Sequence, residues 1–290
     1  MQNTDKNPAY IEQSLESLKK VSRLFNSSGS VIEIQDTGGK KHIIGGGTLG
    51  IIAGPCAVEN EDQIIVIAKA VKSAGAAFLR GGAFKLRTSP YSFQGMGSEG
   101  IKLLGLAKKE TALPLVSEIA EIKQLEYFDE IDIVQVGARN MQNFNLLKEL
   151  GKHRKAVLLK RGQASTATEL LMAAEYIMNE GNENVILCER GLRTFETFSR
   201  STLDIAAVPW LKQRTHLPVI VDPSHAAGNA SLVPAVAKAA VAAGADGLMI
   251  EVHNDPGHAL CDGGQSLTLA SFSDLMITLK KYAELEGKRL

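Results

Sequence analysis

From residue 49 onward the sequence alternates short apolar segments with longer amphipathic ones, and this alternation constrains the fold more than any other feature. The apolar segments predict buried strands at residues 50–53, 77–80, 115–117, 133–136, 157–160, 185–188, 219–221 and 248–251. Helices are predicted between them, most clearly at residues 61–74, 99–110, 168–179 and 232–243. Eight strands with intervening helices predict a (β/α)8 TIM barrel.

A doubly wound open sheet is the alternative architecture for such an alternation. No Gly-x-Gly-x-x-Gly segment follows the first predicted strand, which argues against dinucleotide binding. In a barrel the functional residues are expected in the loops that follow the strands.

Residues 1–47 precede the alternating pattern and predict an N-terminal extension rather than an independent domain, with residues 48–290 as the catalytic barrel. Apolar residues at helical spacing predict a helix over residues 9–25. Two β-like runs on either side of Gly38-Gly39 predict a hairpin over residues 31–44. We expect the hairpin to cover the N-terminal end of the barrel and the helix to contact a neighbouring subunit.

Charge and composition argue against several classes of protein. Lys plus Arg and Asp plus Glu both number 32, so no net charge favours nucleic acid or a membrane surface. No apolar run approaches the ~20 residues that span a bilayer, and residues 1–10 lack an apolar signal core. Three cysteines are too few and too odd in number for a disulfide framework, which predicts a reducing cytoplasm.

Cations follow several of the predicted strands and form the first group of candidate site residues, namely Arg80, Lys85, Arg87, Arg139, Lys160 and Arg190. Three of them lie in the segment 78–90, beside Thr88 and Ser89, where a solvated basic loop is the simpler interpretation. So many like charges in one cleft repel each other unless an anion is bound. The group therefore predicts substrates that carry phosphate and carboxylate groups, both of which Arg binds in a bidentate manner.

A second group offers one sulfur, one imidazole and two carboxylates, from Cys56, His225, Glu251 and Asp262. This mixed set suits a divalent first-row metal better than Mg²⁺ or Ca²⁺, which prefer oxygen ligands. Each residue alone has an ordinary structural explanation, such as a buried cysteine or an aspartate in a turn. Their positions at three strand ends and one adjoining loop together predict a metal site.

The residues at the strand ends resemble one known family over about residues 48–280. The matching segments are AGPC (53–56), FLRGGAFKLRTSPYSFQG (78–95), QVGARNMQNF (135–144), LLKRG (158–162), ILCERG (186–191), DPSH (222–225), MIEVH (249–253) and DGGQSL (262–267). Together they resemble 3-deoxy-D-arabino-heptulosonate 7-phosphate (DAHP) synthase in its type I-beta form. The resemblance implies a (β/α)8 barrel with a divalent metal, which is Mn²⁺, Co²⁺, Fe²⁺ or Zn²⁺. It also implies condensation of phosphoenolpyruvate with erythrose 4-phosphate, the first step of the shikimate pathway.

Carried over residue by residue, the resemblance implies a role for each candidate. The metal ligands would be Cys56, His225, Glu251 and Asp262. Phosphoenolpyruvate would contact Arg80, Lys85, Arg139, Lys160 and Arg190. Erythrose 4-phosphate would contact Arg87 and Thr88, and Glu118 is a further substrate contact. The catalytic residues would be Lys85, Lys160, His225 and Asp262.

The expected chemistry is an aldol-like condensation in which a Lewis-acid metal polarises the aldehyde oxygen. C3 of phosphoenolpyruvate attacks that carbon, water adds at C2, and phosphate leaves. Lys85 is the first candidate for protonating the new alkoxide, since burial among other cations is expected to lower its pKa. Water on the metal is the alternative proton donor.

One departure from the family and two alternative functions remain. The family's Lys-Pro-Arg-Thr signature contains Leu86 here, and loss of the proline is expected to loosen the loop before substrate binds.

A 3-deoxy-D-manno-octulosonate 8-phosphate synthase, which uses a five-carbon sugar phosphate, is one alternative, but Arg87 and Thr88 favour the four-carbon sugar. A non-catalytic anion-binding barrel is the other. We also expect a homo-oligomer, a dimer or tetramer, that is insensitive to Phe, Tyr and Trp.

Overall fold

The computed structural model describes residues 18–290, which are built around a closed barrel of eight parallel strands. The barrel strands are β3 (Gly50–Gly54), β4 (Phe78–Arg80), β5 (Leu115–Ile119), β6 (Ile133–Val136), β7 (Ala156–Lys160), β8 (Val185–Glu189), β9 (Val219–Val221) and β10 (Gly247–Glu251). Each strand pairs with the next along the chain, and β10 pairs with β3 to close the barrel. The predicted TIM barrel is therefore confirmed, and the open sheet is excluded.

Helices connect the strands on the outside of the barrel. They are α1 (Glu61–Ser73), α2 (Ser98–Thr111), α3 (Phe144–Lys152), α4 (Ala167–Asn179), α5 (Ala207–Arg214), α6 (Pro223–Ala227), α7 (Val233–Ala242) and α8 (Leu269–Leu285). Short 3-10 helices lie at Ile122–Tyr127, Ala138–Asn140, Pro256–His258 and Gly263–Gln265. No helix within residues 18–290 is long and apolar enough to cross a membrane.

Helix α1 shows why these segments are helical. The Asn60 side chain caps its start by accepting a hydrogen bond from the Gln63 backbone N–H at 2.8 Å. Ile64, Ile67 and Val71 recur on one face, and all three are completely buried. The helix is therefore held by its cap and by burial of this apolar stripe.

The barrel interior is filled by side chains that alternate with those facing the helices. Its buried cluster includes Ile52, Phe78, Val116, Ile186 and Met249 from five different strands. This packing makes the barrel a solid core rather than a pore, so a ligand is admitted at one end of the barrel.

The N-terminal hairpin closes the opposite end of the barrel, as expected. Its strands, β1 (Val31–Gln35) and β2 (Lys41–Gly45), pair antiparallel. Ile32 and Ile44 join the cluster of the barrel interior. The turn is stabilised by Asp36 Oδ1, which accepts from the backbone N–H groups of Gly38 and Lys40, both at 2.9 Å.

The predicted helix over residues 9–25 is wrong for its second half, since residues 18–25 form bends, turns and a bridge between Ser22 and Thr215. Residues 9–17 lie outside the part of the chain that the structure describes. Residues 18–25 are not helical because of a tertiary contact. The Glu175 carboxylate accepts from the backbone N–H groups of Lys19, Lys20 and Val21 at 2.9–3.2 Å. These N–H groups are thus satisfied without helical partners.

Candidate active site

A polar cleft of about 250 Å³ opens at the carboxyl ends of the barrel strands. Among its lining residues are nine that the sequence singled out, namely Lys85, Arg87, Thr88, Glu118, Arg139, Lys160, Arg190, His225 and Asp262. They come from loops after different strands, and closure of the barrel brings these loops to one end of the molecule.

The four proposed metal ligands form one compact group at this end. Cys56 follows β3, His225 lies in α6, Glu251 ends β10, and Asp262 lies in the loop before α8. One ligand atom from each residue lies within 4.8 Å of the others. His225 Nε2 is 3.5 Å from Glu251 Oε1 and 3.6 Å from Asp262 Oδ2. Asp262 adopts a left-handed backbone with φ of 53°, a conformation that non-glycine residues seldom adopt.

The acidic members of this group are held ionised by neighbouring cations. Arg80 Nη1 donates to Glu251 Oε1 at 2.6 Å, and Arg200 Nη1 lies 2.9 Å from Asp262 Oδ2. Burial would raise the pKa of Glu251, but His225 and Arg80 hold it below its usual range. Burial likewise opposes ionisation of Asp262, and Arg200 and His225 lower its pKa well below the usual range. Both carboxylates are therefore available as metal ligands at neutral pH.

The histidine and the cysteine of the group also have suitable chemistry. Burial lowers the pKa of His225, against the attraction of Asp222 and Glu251, and this direction favours the neutral imidazole that a metal binds. The hydrogen bond to Cys261, with an Sγ–Sγ distance of 3.2 Å, and burial together raise the pKa of Cys56. A bound divalent ion deprotonates a coordinating thiol, so one thiolate, one imidazole and two carboxylates fit a first-row divalent metal.

Lys85 lies between the two groups of candidate residues. Its Nζ is 3.3 Å from Cys56 Sγ and 3.7 Å from Glu118 Oε2. Burial opposes its charge, but Cys56 and Glu118 raise the pKa of Lys85 above its usual value. The expectation of a lowered pKa was therefore wrong, because the nearest ionisable neighbours of Lys85 are acidic groups rather than the other cations.

The cations proposed for phosphoenolpyruvate differ in how open they are. Arg139, Lys160 and Arg190 line the cleft. Arg190 Nη1 is anchored to Ser201 Oγ at 3.1 Å, and burial lowers its pKa. Arg80 is buried beneath the cleft with its guanidinium bound to Glu251, and it does not contribute to the lining.

The two residues proposed for the sugar phosphate lie in the connection between β4 and α2 and line the cleft. Arg87 Nη1 is 2.7 Å from Cys261 Sγ. Thr88 Oγ1 accepts from Arg139 Nη2 at 3.3 Å, which links the two sets of cations. Leu86, which replaces the family proline, also lines the cleft and is half-buried.

Sequence reasoning missed three residues that support the site. Arg200 pairs with Asp262 and donates to Gln265 Oε1 at 2.8 Å. Gln265 Nε2 donates to Glu251 Oε2 at 2.6 Å. Asp222, completely buried, accepts from both His225 and Lys160. One signal for Arg200 was available: the connection at residues 190–206 is long, and long loops in compact domains are usually functional.

Two other histidines, together with Cys188, contact parts of the fold outside the cleft lining. His42 pairs with Asp36 at 2.9 Å in the hairpin, and Cys188 lies in the barrel interior. His253 is buried next to Gln63, with 3.1 Å between the two Nε2 atoms. Asn143 caps α3 by accepting a hydrogen bond from the Leu146 backbone N–H.

Comparison with known proteins finds relatives over nearly the whole chain. The sequence model of the DAHP synthetase I family matches residues 28–286. A phospho-2-dehydro-3-deoxyheptonate aldolase from Thermotoga maritima is 46% identical over 277 residues, covering 95% of this chain and 80% of that protein. A 2-dehydro-3-deoxyphosphooctonate aldolase from Geobacter sulfurreducens is 34% identical over 271 residues, covering 86% and 96%.

Solved structures show the same similarity. The crystal structure of the Thermotoga maritima DAHP synthase superimposes with a TM-score of 0.88 at 45% identity, covering 94% of this chain and 78% of that one. A truncated form of the Thermotoga maritima enzyme has a TM-score of 0.84 at 44% identity, covering 93% and 97%.

Proposed function

The chain belongs to the DAHP synthetase I family, and from that premise we propose how its site carries out the family's reaction. That reaction condenses phosphoenolpyruvate with D-erythrose 4-phosphate and water to give DAHP and phosphate, the first step of the shikimate pathway. The resemblance to DAHP synthase in the sequence is thereby confirmed.

The observation that carries the proposal is that a metal-capable group and a cluster of cations share one cleft. The group of Cys56, His225, Glu251 and Asp262 could hold a divalent ion. Cations line the neighbouring wall and suit a phosphorylated carboxylate. A barrel that only bound anions would have no use for the mixed sulfur, nitrogen and oxygen group.

We place phosphoenolpyruvate against the cations of β7 and β8. Lys160 and Arg190, with Arg139, would hold its phosphate, and Lys85 would hold its carboxylate. Each charge-assisted contact is worth roughly 1.5–3 kcal/mol. Arg80 would support this site from beneath through Glu251, and its direct contact with the carboxylate stays a prediction.

The aldose phosphate would bind through Arg87 and Thr88, which orient its aldehyde toward the metal-capable group. Mn²⁺, Co²⁺, Fe²⁺ or Zn²⁺ bound there would supply Lewis-acid polarisation of the aldehyde oxygen. C3 of phosphoenolpyruvate then attacks the aldehyde carbon, water adds at C2, and the phosphate held by Lys160 and Arg190 leaves.

Lys85 stays the candidate for protonating the new alkoxide, but not because its pKa is lowered. Because its pKa is raised, it acts as a persistent cation beside the developing negative charge. An alkoxide is basic enough to take a proton even from such an amine. Glu118, 3.7 Å from Lys85 Nζ, would hold the ammonium in place.

The first prediction is that catalysis depends on metal. Phosphate release from phosphoenolpyruvate should require erythrose 4-phosphate, stop in the presence of a chelator, and return to different degrees with Mn²⁺, Co²⁺, Fe²⁺ or Zn²⁺. Full turnover after exhaustive metal removal would contradict the proposed metal site. Preference for a five-carbon aldose phosphate would favour the octulosonate alternative, and absence of phosphate release would favour an anion-binding barrel.

Three further points stay predictions. The three cysteines are free thiols, and we propose that the enzyme works in the reducing cytoplasm, where thiols persist. We also propose a homo-oligomer, a dimer or tetramer. The ion used in the cell is one of the four divalent metals above.

A further inference from the structure

The Asp222 carboxylate lies between the metal-capable group and the phosphate-binding cations. It follows directly after β9 and is 0% exposed to solvent. Its Oδ1 accepts from the His225 backbone N–H at 2.9 Å. Its Oδ2 accepts both from His225 Nδ1, at 2.7 Å, and from Lys160 Nζ. A buried carboxylate keeps its negative charge only while such donors satisfy its oxygens. The charge of Asp222 therefore depends on its contacts with His225 and Lys160.

The two side-chain donors share one oxygen, so a stronger hydrogen bond from one donor weakens the bond from the other. His225 uses Nδ1 for Asp222, which leaves Nε2 directed to Glu251 and Asp262 and therefore to a metal. Lys160 bonds Asp222 and also lines the cleft, so its ammonium is within reach of an anion bound there. A change in one partner of Oδ2 therefore alters the hydrogen bond that the other partner makes.

We propose that Asp222 is a positioning residue that couples metal binding to phosphoenolpyruvate binding. This inference rests on the proposed function, because it takes phosphoenolpyruvate as the anion that Lys160 contacts. A metal on Nε2 makes the Nδ1–H of His225 a stronger donor, which takes a larger share of Oδ2 and releases Lys160 toward the anion. An anion that attracts Lys160 frees Oδ2 for His225, which makes the imidazole a better metal ligand.

Each ligand therefore raises the affinity of the protein for the other, and by thermodynamic linkage the two factors are equal. A cation and an anion in one cleft also attract each other directly, without Asp222. The contribution of Asp222 is the part of the coupling between metal and anion that is lost when a neutral side chain of the same size replaces the carboxylate. Asp222→Asn makes that change.

The experiment measures both affinities in metal-free protein. Co²⁺ binding is followed by the charge-transfer absorption of the Cys56 thiolate, with and without saturating phosphoenolpyruvate. Phosphoenolpyruvate binding is followed by calorimetry, with and without Co²⁺. We expect each ligand to tighten the other roughly five- to a hundredfold in the unchanged protein, and we expect most of that factor to be lost in Asp222→Asn.

The matched control is Glu189→Gln. Glu189 is an equally buried carboxylate at the end of the adjacent strand, but it pairs with Arg161 at 2.7 Å and contacts neither His225 nor Lys160 through its side chain. We expect this variant to keep the coupling factor of the unchanged protein. An equal loss in both variants would show a general effect of removing a buried charge, and would overturn the inference.

The outcomes separate the inference from the proposed function. If phosphoenolpyruvate does not bind with or without Co²⁺, the proposed function fails first. If it binds but Asp222→Asn keeps the full coupling, or weakens both ligands equally without changing it, Asp222 has only a structural role.

A measurement on the unmutated protein covers the case in which Asp222→Asn does not fold. The Nδ1 proton of His225, observed by NMR in Zn²⁺-loaded protein, should move downfield when phosphoenolpyruvate is added, because Lys160 then leaves Oδ2. An unmoved resonance at saturating phosphoenolpyruvate would overturn the inference.

Discussion

At the scale of single residues, the position of Cys261 matters for the metal site. Its Sγ lies 3.2 Å from that of the proposed ligand Cys56, and Arg87 Nη1 lies 2.7 Å from it. A small approach of the two sulfurs would bring them to bonding distance, about 2.0 Å. A metal held by Cys56 would keep the two thiols apart.

We therefore predict that air forms a Cys56–Cys261 disulfide in the metal-free enzyme, so that metal alone no longer restores its activity. Oxygen takes the two electrons and two protons of the thiols, and dithiothreitol with metal should restore activity. Peptide mapping of the oxidised protein should show the linkage. Equal sensitivity to air in Cys261→Ser would contradict this prediction.

The cations of the cleft should separate by substrate. Arg87→Ala should raise the KM for erythrose 4-phosphate about ten- to a hundredfold, since a lost charge-assisted contact is worth roughly 1.5–3 kcal/mol. Arg190→Ala should instead raise the KM for phosphoenolpyruvate. Steady-state kinetics with each substrate varied in turn measures the difference.

Arg154→Ala is the control for these two variants, because Arg154 is exposed between α3 and β7 and does not line the cleft. It should leave both KM values unchanged. If Arg87→Ala and Arg190→Ala alter the two substrates alike, the division of the cations between them is wrong.

At the scale of secondary-structure elements, the hairpin and the loops serve opposite ends of the barrel. The hairpin inserts Ile32 and Ile44 into the barrel interior. The loop at residues 190–206 carries Arg200 to Asp262 on the cleft side. The hairpin should therefore contribute to stability, whereas changes in the loop should alter the site.

We predict that Ile44→Ala lowers the free energy of unfolding by about 2–5 kcal/mol, because it leaves a cavity under the barrel. Val31→Ala, in the same hairpin but with Val31 49% exposed, should cost less than about 0.5 kcal/mol. Urea unfolding monitored by circular dichroism measures both. A comparable loss of unfolding free energy in the two variants would show that the hairpin does not seal the barrel. We expect kcat to be unchanged in both variants.

At the scale of the whole molecule, a metal would connect parts of the chain that are distant in sequence. Its proposed ligands come from the loop after β3, from α6, from β10 and from the loop before α8. Because no such site exists in the unfolded chain, binding energy at this site adds to folding stability.

We predict that Co²⁺ raises the melting temperature of the metal-free protein. At a hundredfold excess over its Kd the ion should add about 2.7 kcal/mol to the free energy of unfolding. Cys56→Ser should lose most of this gain, whereas Cys188→Ala, which removes a buried thiol of the barrel interior, should keep it. Calorimetric melting at several Co²⁺ concentrations tests this, and an equal gain in both variants would exclude Cys56 as a ligand.

The sequence by itself determined the barrel and the residues at its mouth. Strand and helix periodicity are local properties, and all eight predicted barrel strands overlap the observed ones. Parallel strands then bring their following loops to one end, so the candidate residues could be grouped before any distance was known. The resemblance to DAHP synthase rested on these same segments.

Tertiary structure alone decided the contacts within the site. Lys85 has a raised pKa because the fold places it beside Cys56 and Glu118. Asp222 bridges His225 and Lys160, which is 62 positions away in the chain. The segment at residues 18–25 is not a helix because the distant Glu175 takes its backbone N–H groups. Hydrogen bonds and charge interactions depend on distances in space, and a local sequence pattern does not specify those distances.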